Sequence, residues 1–222
     1  NLLENRVHQA SILEIESYIP LAFAELGRID YGIEECDQFR KSIAEVVVPA
    51  ITELSKRQIV NLETKNLSPW DATAWPELMP TQHPAGSNLE KLMDGMHEIA
   101  TKIHPSFGKL FHEMRARGLI DIGPRNRKSP GAFCVTFQES KMPFIFGNFA
   151  GTYRDALTLI HEFGHAIHGY ATSSISNVLL RHPGLEFCEV ASMGLEMLAA
   201  KYFTEWWPDP KEARKAWAFQ VY

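Results

Sequence analysis

Cysteine is scarce in this chain, and an excess of positive charge is missing. Three cysteines, Cys36, Cys134 and Cys188, are spread through 222 residues without a C-x-x-C pair, which argues against both a disulfide framework and a cysteine-ligated metal site. A reducing compartment, the cytoplasm, is the expected setting. Asp and Glu outnumber Lys and Arg by 27 to 22, a net charge of −5 with no basic cluster. Such a surface repels a phosphate backbone, so nucleic acid is not an expected partner. Long apolar runs are lacking too. Stretches such as Val46 to Val48 fall far short of the ~20 residues a membrane-spanning helix needs, no signal peptide is visible, and no membrane partner is expected. No internal repeat is present.

With 45% hydrophobic and 22% charged residues, the chain can bury a sizeable core as a single region. Apolar periodicity predicts a mainly α fold. Helices are expected over residues 5–26, over 33–59 with a break or kink at Pro49, and over 87–117 with an interruption at His104-Pro105. Between them, Leu67 to Ser87 carries Pro69, Pro76, Pro80 and Pro84 and reads as a loop, with Trp70 and Trp75 expected as its core anchors. The β signal is confined to Ala132–Phe137 and Pro143–Phe149, two aromatic and β-branched runs that predict a hairpin. The second strand is a candidate edge for an extended peptide. Asn148, Ala150 and Gly151, just beyond it, are candidate substrate-lining residues or simply small turn formers. The single region thus divides into a mainly helical part, 1–130, and a hairpin followed by further helices, 131–222.

The sharpest local pattern is His161-Glu162-Phe163-Gly164-His165. Four residues along a helix bring two side chains within about 40° of each other, so the two imidazoles can converge on one Zn²⁺. Glu162 projects about 100° away, placed to handle a water beside the metal rather than to ligate it. The surroundings read as helix. Ala156, Leu159, Ile160, Phe163, Ile167 and Tyr170 form an apolar stripe, and Thr152 with Asp155 forms a variant capping box at the start. Two histidines leave room for a third protein ligand. Glu186, Glu189 and Glu196 lie on a second expected helix from Glu186 to Lys201. Glu189 and Glu196, seven apart, share a face, so that one would ligate while the other orients a histidine. Glu186, near the helix start, stays open as an alternative ligand or as a residue favoured by the helix dipole.

These residues carry a resemblance. Gly131-Ala132-Phe133-Cys134-Val135-Thr136, Pro143 to Phe149, Gly151-Thr152 and the run His161 to His168, with Gly27 to Tyr31, Val48-Pro49, Trp70-Asp71 and Gly118 to Asp121 upstream, resemble the oligoendopeptidase F branch of the thimet-oligopeptidase family of zinc metallopeptidases. The resemblance implies that Glu189, opening Glu189-Val190-Ala191-Ser192-Met193, is the third ligand of one Zn²⁺ and that His168 lines the site without ligating. It also implies oligopeptide substrates entering a channel between helical lobes. A transition-state-stabilising tyrosine and histidine would lie well beyond the third ligand, so the chain from Asn1 to Tyr222 is expected to be an internal piece of a longer enzyme. The expected activity is zinc-assisted hydrolysis of internal peptide bonds, with Glu162 as proton carrier. A zinc carboxypeptidase or aminopeptidase, or a metal- and peptide-binding piece inactive by itself, are the alternatives.

Overall fold

Proline marks the first turn of two of the N-terminal helices, the part of a helix that best tolerates the backbone N–H it lacks. The computed structural model describes residues 1–71 and 88–221, which fall into two compact units, Asn1–Trp75 and Pro76–Tyr222. In the first, α1 (Leu2–Ile12) starts from a capping box between Asn1 and Glu4. The helix expected over 5–26 is in fact two. The chain turns at Glu14, whose φ is +54°, and α2 (Ile19–Glu25) begins afresh with Pro20 in its first turn, where a missing N–H breaks no bond. Helix α3 (Ile33–Ser42) passes through a π-helical turn, Ile43–Val47, into α4 (Val48–Asn61). Pro49 cannot donate to the carbonyl four residues back. The turn before it widens instead, and Val48 N donates to the carbonyl of Ile43.

Among the described residues of this unit, Ala10 and Gln58 are the buried ones. Trp70 is not the core anchor expected of it, being 79% exposed. Its 3₁₀ turn, Pro69–Asp71, is fixed by polar contacts, with Ser68 N donating to Asp71 Oδ2 at 2.8 Å. Trp75 and most of the proline-rich stretch lie outside the described residues.

The second unit holds most of the core. Helix α5 (Leu89–Ile103) starts at Asn88, whose side chain accepts from Lys91 N at 3.1 Å. His104 closes α5 in an extended conformation and caps α6 (Pro105–Ala116), its Nδ1 accepting from Ser106 N at 3.2 Å. That is the interruption the His-Pro pair predicts. These two helices belong to the same compact unit as the histidine-bearing helix. Three strands follow: β1 (Ile120–Asp121), β2 (Phe133–Thr136) and β3 (Pro143–Phe146). The hairpin β2–β3 is antiparallel as expected, while β1 adds a parallel partner and the order is β1-β3-β2.

The position of β3 changes one expectation. Ile145 N donates to Leu119 O at 2.9 Å and Gly147 N to Asp121 O at 3.0 Å, so β3 is central and its amides are taken. The edge strands of this sheet are therefore β1 and β2, and the strand from 143 to 149 is not one of them.

Helix α7 (Tyr153–Thr172) carries the two histidines, and α8 (Leu185–Ala199) runs on through a 3₁₀ turn, Ala200–Glu205, towards α9 (Pro210–Val221). Ala156, Leu159, Ile160 and Phe163 of the expected stripe are buried, and Ile167 packs at the core's margin. Tyr170 lies past the last side chain that packs on this core and is 44% exposed. Phe163 meets Phe111 of α6 edge to face, with ring centroids 5.1 Å apart. No described helix is long and apolar enough to cross a membrane.

A buried cation pins the loop that leads into β2. The Lys128 side chain is 1% exposed, and its Nζ donates to Asp121 Oδ1, Asp121 O and Gly123 O, each at 2.9 Å. Arg125 grips the same carboxylate through two bonds of 2.6 and 2.8 Å. Arg125 first, then Lys128, hold the Asp121 carboxyl down at about 2. Asp121 is therefore expected to stabilise the fold fully above its ordinary value near 4 and to lose that contribution as the pH falls through about 2. Asp121→Ala leaves a buried ammonium short of its counter-charge and should cost about 3 kcal/mol at neutral pH. Denaturant unfolding of both proteins at pH 7 and pH 2.5 checks this, since the gap between them narrows in acid.

Candidate metal centre

Helix α7 is gripped on two sides at glycine positions. A Cβ on Gly164 would lie 2.5 Å from the Cα of Ser192 and 2.8 Å from the carbonyl oxygen of Ala191, so α7 and α8 cross backbone against backbone. On the other flank, a Cβ on Gly169 would lie 2.0 Å from the hydroxyl of Thr136, so a side chain of β2, not its backbone, presses on the helix there. The start of α7 is fixed by Asp155, whose Oδ2 accepts from Thr152 N at 2.6 Å and Ala150 N at 3.0 Å. The two small residues of the sequence expectation serve this turn, Ala150 through that bond and Gly151 with φ +84°. Asn148 ties the loop before β2, its Nδ2 donating to Ser129 O at 2.7 Å and Gly131 O at 3.1 Å.

The crossing brings three side chains together. His161 Nε2 and His165 Nε2 are 3.2 Å apart, and Glu189 Oε2 lies 3.2 Å from the first and 3.5 Å from the second. Among the described residues these three form the group whose donor atoms can hold one metal ion. Glu196, two turns further along α8, faces the back of His161, with Oε1 2.6 Å from Nδ1. Glu186 sits in the first turn of α8, outside the triad. His168 lines the same cleft without joining the triad.

The cleft has a volume of about 610 Å³, with β2 as one wall and α7 as another. Glu162 lines it yet is only 7% exposed. Burial pushes the Glu162 carboxyl above its ordinary range, against the pull of His161. His161 is raised by its bond to Glu196, whereas burial lowers His165. Burial, then the nearby Glu162, pushes the Cys134 thiol up to about 12, so it stays protonated.

One participant escapes sequence reading. Ser192 is fully buried, and its hydroxyl bridges Glu189 Oε2 at 2.7 Å and the carbonyl of Glu189 at 3.0 Å. It fixes the orientation of the carboxylate that faces the imidazoles. Its three-residue spacing from Glu189 was the available signal, because i and i+3 share a helix face.

The sequence profile of peptidase family M3 matches residues 1–205. The chain belongs to that family. Among curated proteins, this M3 peptidase chain is 24% identical over 212 residues to an oligoendopeptidase F homologue of Mycoplasma genitalium, the match spanning 91% of the chain and 33% of that protein. Among solved structures it is similar to PZ peptidase A bound to an inhibitor, at 27% identity and a TM-score of 0.88 over 99% of the chain and 38% of that one. It is similar also to a Bacillus anthracis (strain Ames) structure assigned as an oligoendopeptidase F, at 26% identity and a TM-score of 0.88 over 99% of the chain and 40% of that one. The chain thus spans well under half the length of these relatives. M3 peptidases are metalloenzymes, in keeping with the two-histidine, one-glutamate group of this M3 chain.

Two substitutions separate scaffold from ligand orientation. Gly164→Ala forces backbones apart and should lower stability by about 1–3 kcal/mol, with metal retention falling alongside. Ser192→Ala keeps the crossing but frees the carboxylate, and should weaken metal binding about 10–100-fold while the metal-free protein melts within a few degrees of wild type. Thermal melts without metal and chelator competition with it check both.

Proposed function

We propose that this chain carries the zinc site of an endopeptidase that hydrolyses internal bonds of oligopeptides. The observation that carries this reading is the near-equilateral triangle of donor atoms, with edges of 3.2, 3.2 and 3.5 Å. Tetrahedral bonds of about 2.0–2.1 Å to zinc set neighbouring ligand atoms about 3.3–3.4 Å apart. Two nitrogens and one oxygen, with a fourth position left open, make the donor set of a catalytic rather than a structural zinc.

His161, His165 and Glu189 would hold the ion, and Glu196 would fix the His161 ring by taking its Nδ1 proton in a hydrogen bond. When bound, zinc supplies Lewis-acid polarisation of the scissile carbonyl and brings the pKa of the attacking water towards about 7. Glu162 takes the proton of that water and delivers it to the leaving nitrogen, acting as base before attack and acid after it. The edge of β2 offers main-chain hydrogen bonds to an extended peptide, giving affinity with little sequence choice. Three free cysteines suit a reducing cytoplasm.

An exopeptidase reading has one observation in its favour. Arg181 lines the cleft, held by bonds of 2.7 Å each from its Nη1 to Gln138 Oε1 and from its Nε to Ile175 O, and a fixed guanidinium can read a terminal carboxylate. An internally quenched peptide with blocked ends tests between the two, because only an endopeptidase cleaves it as fast as its free-ended version.

In the full-length enzyme, Glu162→Gln is expected to keep zinc and peptide binding while lowering turnover at least ~10²–10⁴-fold. Glu189→Ala should lose most of the zinc and Glu186→Ala little. Turnover and metal content measured on the same samples decide the assignment: near-normal turnover in Glu162→Gln, or zinc loss confined to Glu186→Ala, would contradict it.

A further inference from the structure

A second cavity adjoins the metal cleft and plays no part in holding the ion. Its volume is about 220 Å³. Leu92, Ile122, Ile145, Phe149 and Leu159 give it an apolar lining, and Ala132 and Glu162 are shared walls between it and the cleft. The mouth is edged by Thr158, an exposed position on α7 one turn before His161 and Glu162. An apolar cavity of about 150 Å³ already admits benzene, so this one has room for a single aliphatic or aromatic side chain.

Resting on the peptidase reading above, we infer that this cavity is the subsite for the substrate residue that supplies the leaving nitrogen, and that it selects a large apolar side chain there. The argument runs through Glu162. The carboxyl that hands a proton to the leaving amine must lie against that half of the peptide, and Glu162, the residue that bears it, lines the cavity as well as the cleft. A side chain projecting from the residue that bears the nitrogen therefore meets the cavity rather than the polar far end of the cleft, where Arg181, His168 and His182 stand. Two acidic residues, Asp155 and Glu162, are in the lining, which disfavours acidic guests. Burial of a leucine-sized side chain favours binding over alanine by one to two orders of magnitude, at about 0.8 kcal/mol per methylene.

The test uses the zinc-loaded full-length enzyme and three hydroxamate peptides that differ only in the side chain next to the zinc-binding group: Leu, Ala or Asp. Calorimetry should show the Leu compound binding at least tenfold tighter than the Ala compound, and the Asp compound weakest. Thr158→Phe plugs the mouth from α7. Gly147→Ala narrows the cavity from the sheet, where its Cβ would lie 3.2 Å from Ile122 Cγ2. Either should cut the Leu advantage below threefold with zinc content unchanged. Equal binding of Leu and Ala by the wild type, or a Leu advantage that survives at full size in both variants, overturns the subsite alone. If none of the three compounds binds a protein that holds its zinc, the peptidase reading fails and takes the subsite with it.

Discussion

Backbone contact between α7 and α8 at Gly164 is what allows a carboxylate on one helix to reach two imidazoles on the other. Side chains of ordinary size hold packed helices about 8–10 Å apart. Here a Cβ on Gly164 would come within 3.0 Å of three backbone atoms of Ala191 and Ser192, and the axes approach until Glu189 Oε2 stands 3.2 and 3.5 Å from the two Nε2 atoms. The same approach buries Ser192 and turns its hydroxyl onto Glu189. It also carries Glu196 to the far nitrogen of His161. One glycine thus sets the distance at which Glu189, Ser192, Glu196 and the two imidazoles all meet.

The other flank is closed by a side chain rather than by backbone. Gly169 lets Thr136 of β2 press against α7, while Lys128 and Asp121 hold the loop that feeds β2. Because β3 spends its amides on β1, β2 is left to face the cleft. Helix α7 therefore presents its histidines between the helix that bears Glu189 and strand β2, while Phe163 and Ile160 anchor its opposite face in the core.

What was legible in the sequence followed from local geometry. The four-residue spacing of His161 and His165 fixes their convergence on any straight helix, and the seven-residue spacing of Glu189 and Glu196 fixes their shared face. Spacing left Glu186 open as a ligand, and the decision between it and Glu189 depends on where α8 crosses α7, a fact of tertiary packing. The same holds for β1, two residues long with no alternation to detect, whose pairing makes β3 central. Misreadings have local causes as well. The split of 5–26 into two helices turns on a positive φ at Glu14, which a glutamate does not announce. Trp70 was expected inside because tryptophan usually is, yet the described contacts around it are polar.

The central claim is that two imidazoles and one carboxylate, and no thiol, hold a single zinc between α7 and α8. X-ray absorption at the zinc edge of the stoichiometrically loaded protein tests it directly, because Cys134 and Cys188 line the same cleft and sulfur scatters distinctly from nitrogen and oxygen. The account predicts a shell of nitrogen and oxygen at about 2.0–2.1 Å with the outer-shell signature of two imidazoles. A sulfur contribution at about 2.3 Å, or the signature of three imidazoles, would contradict it.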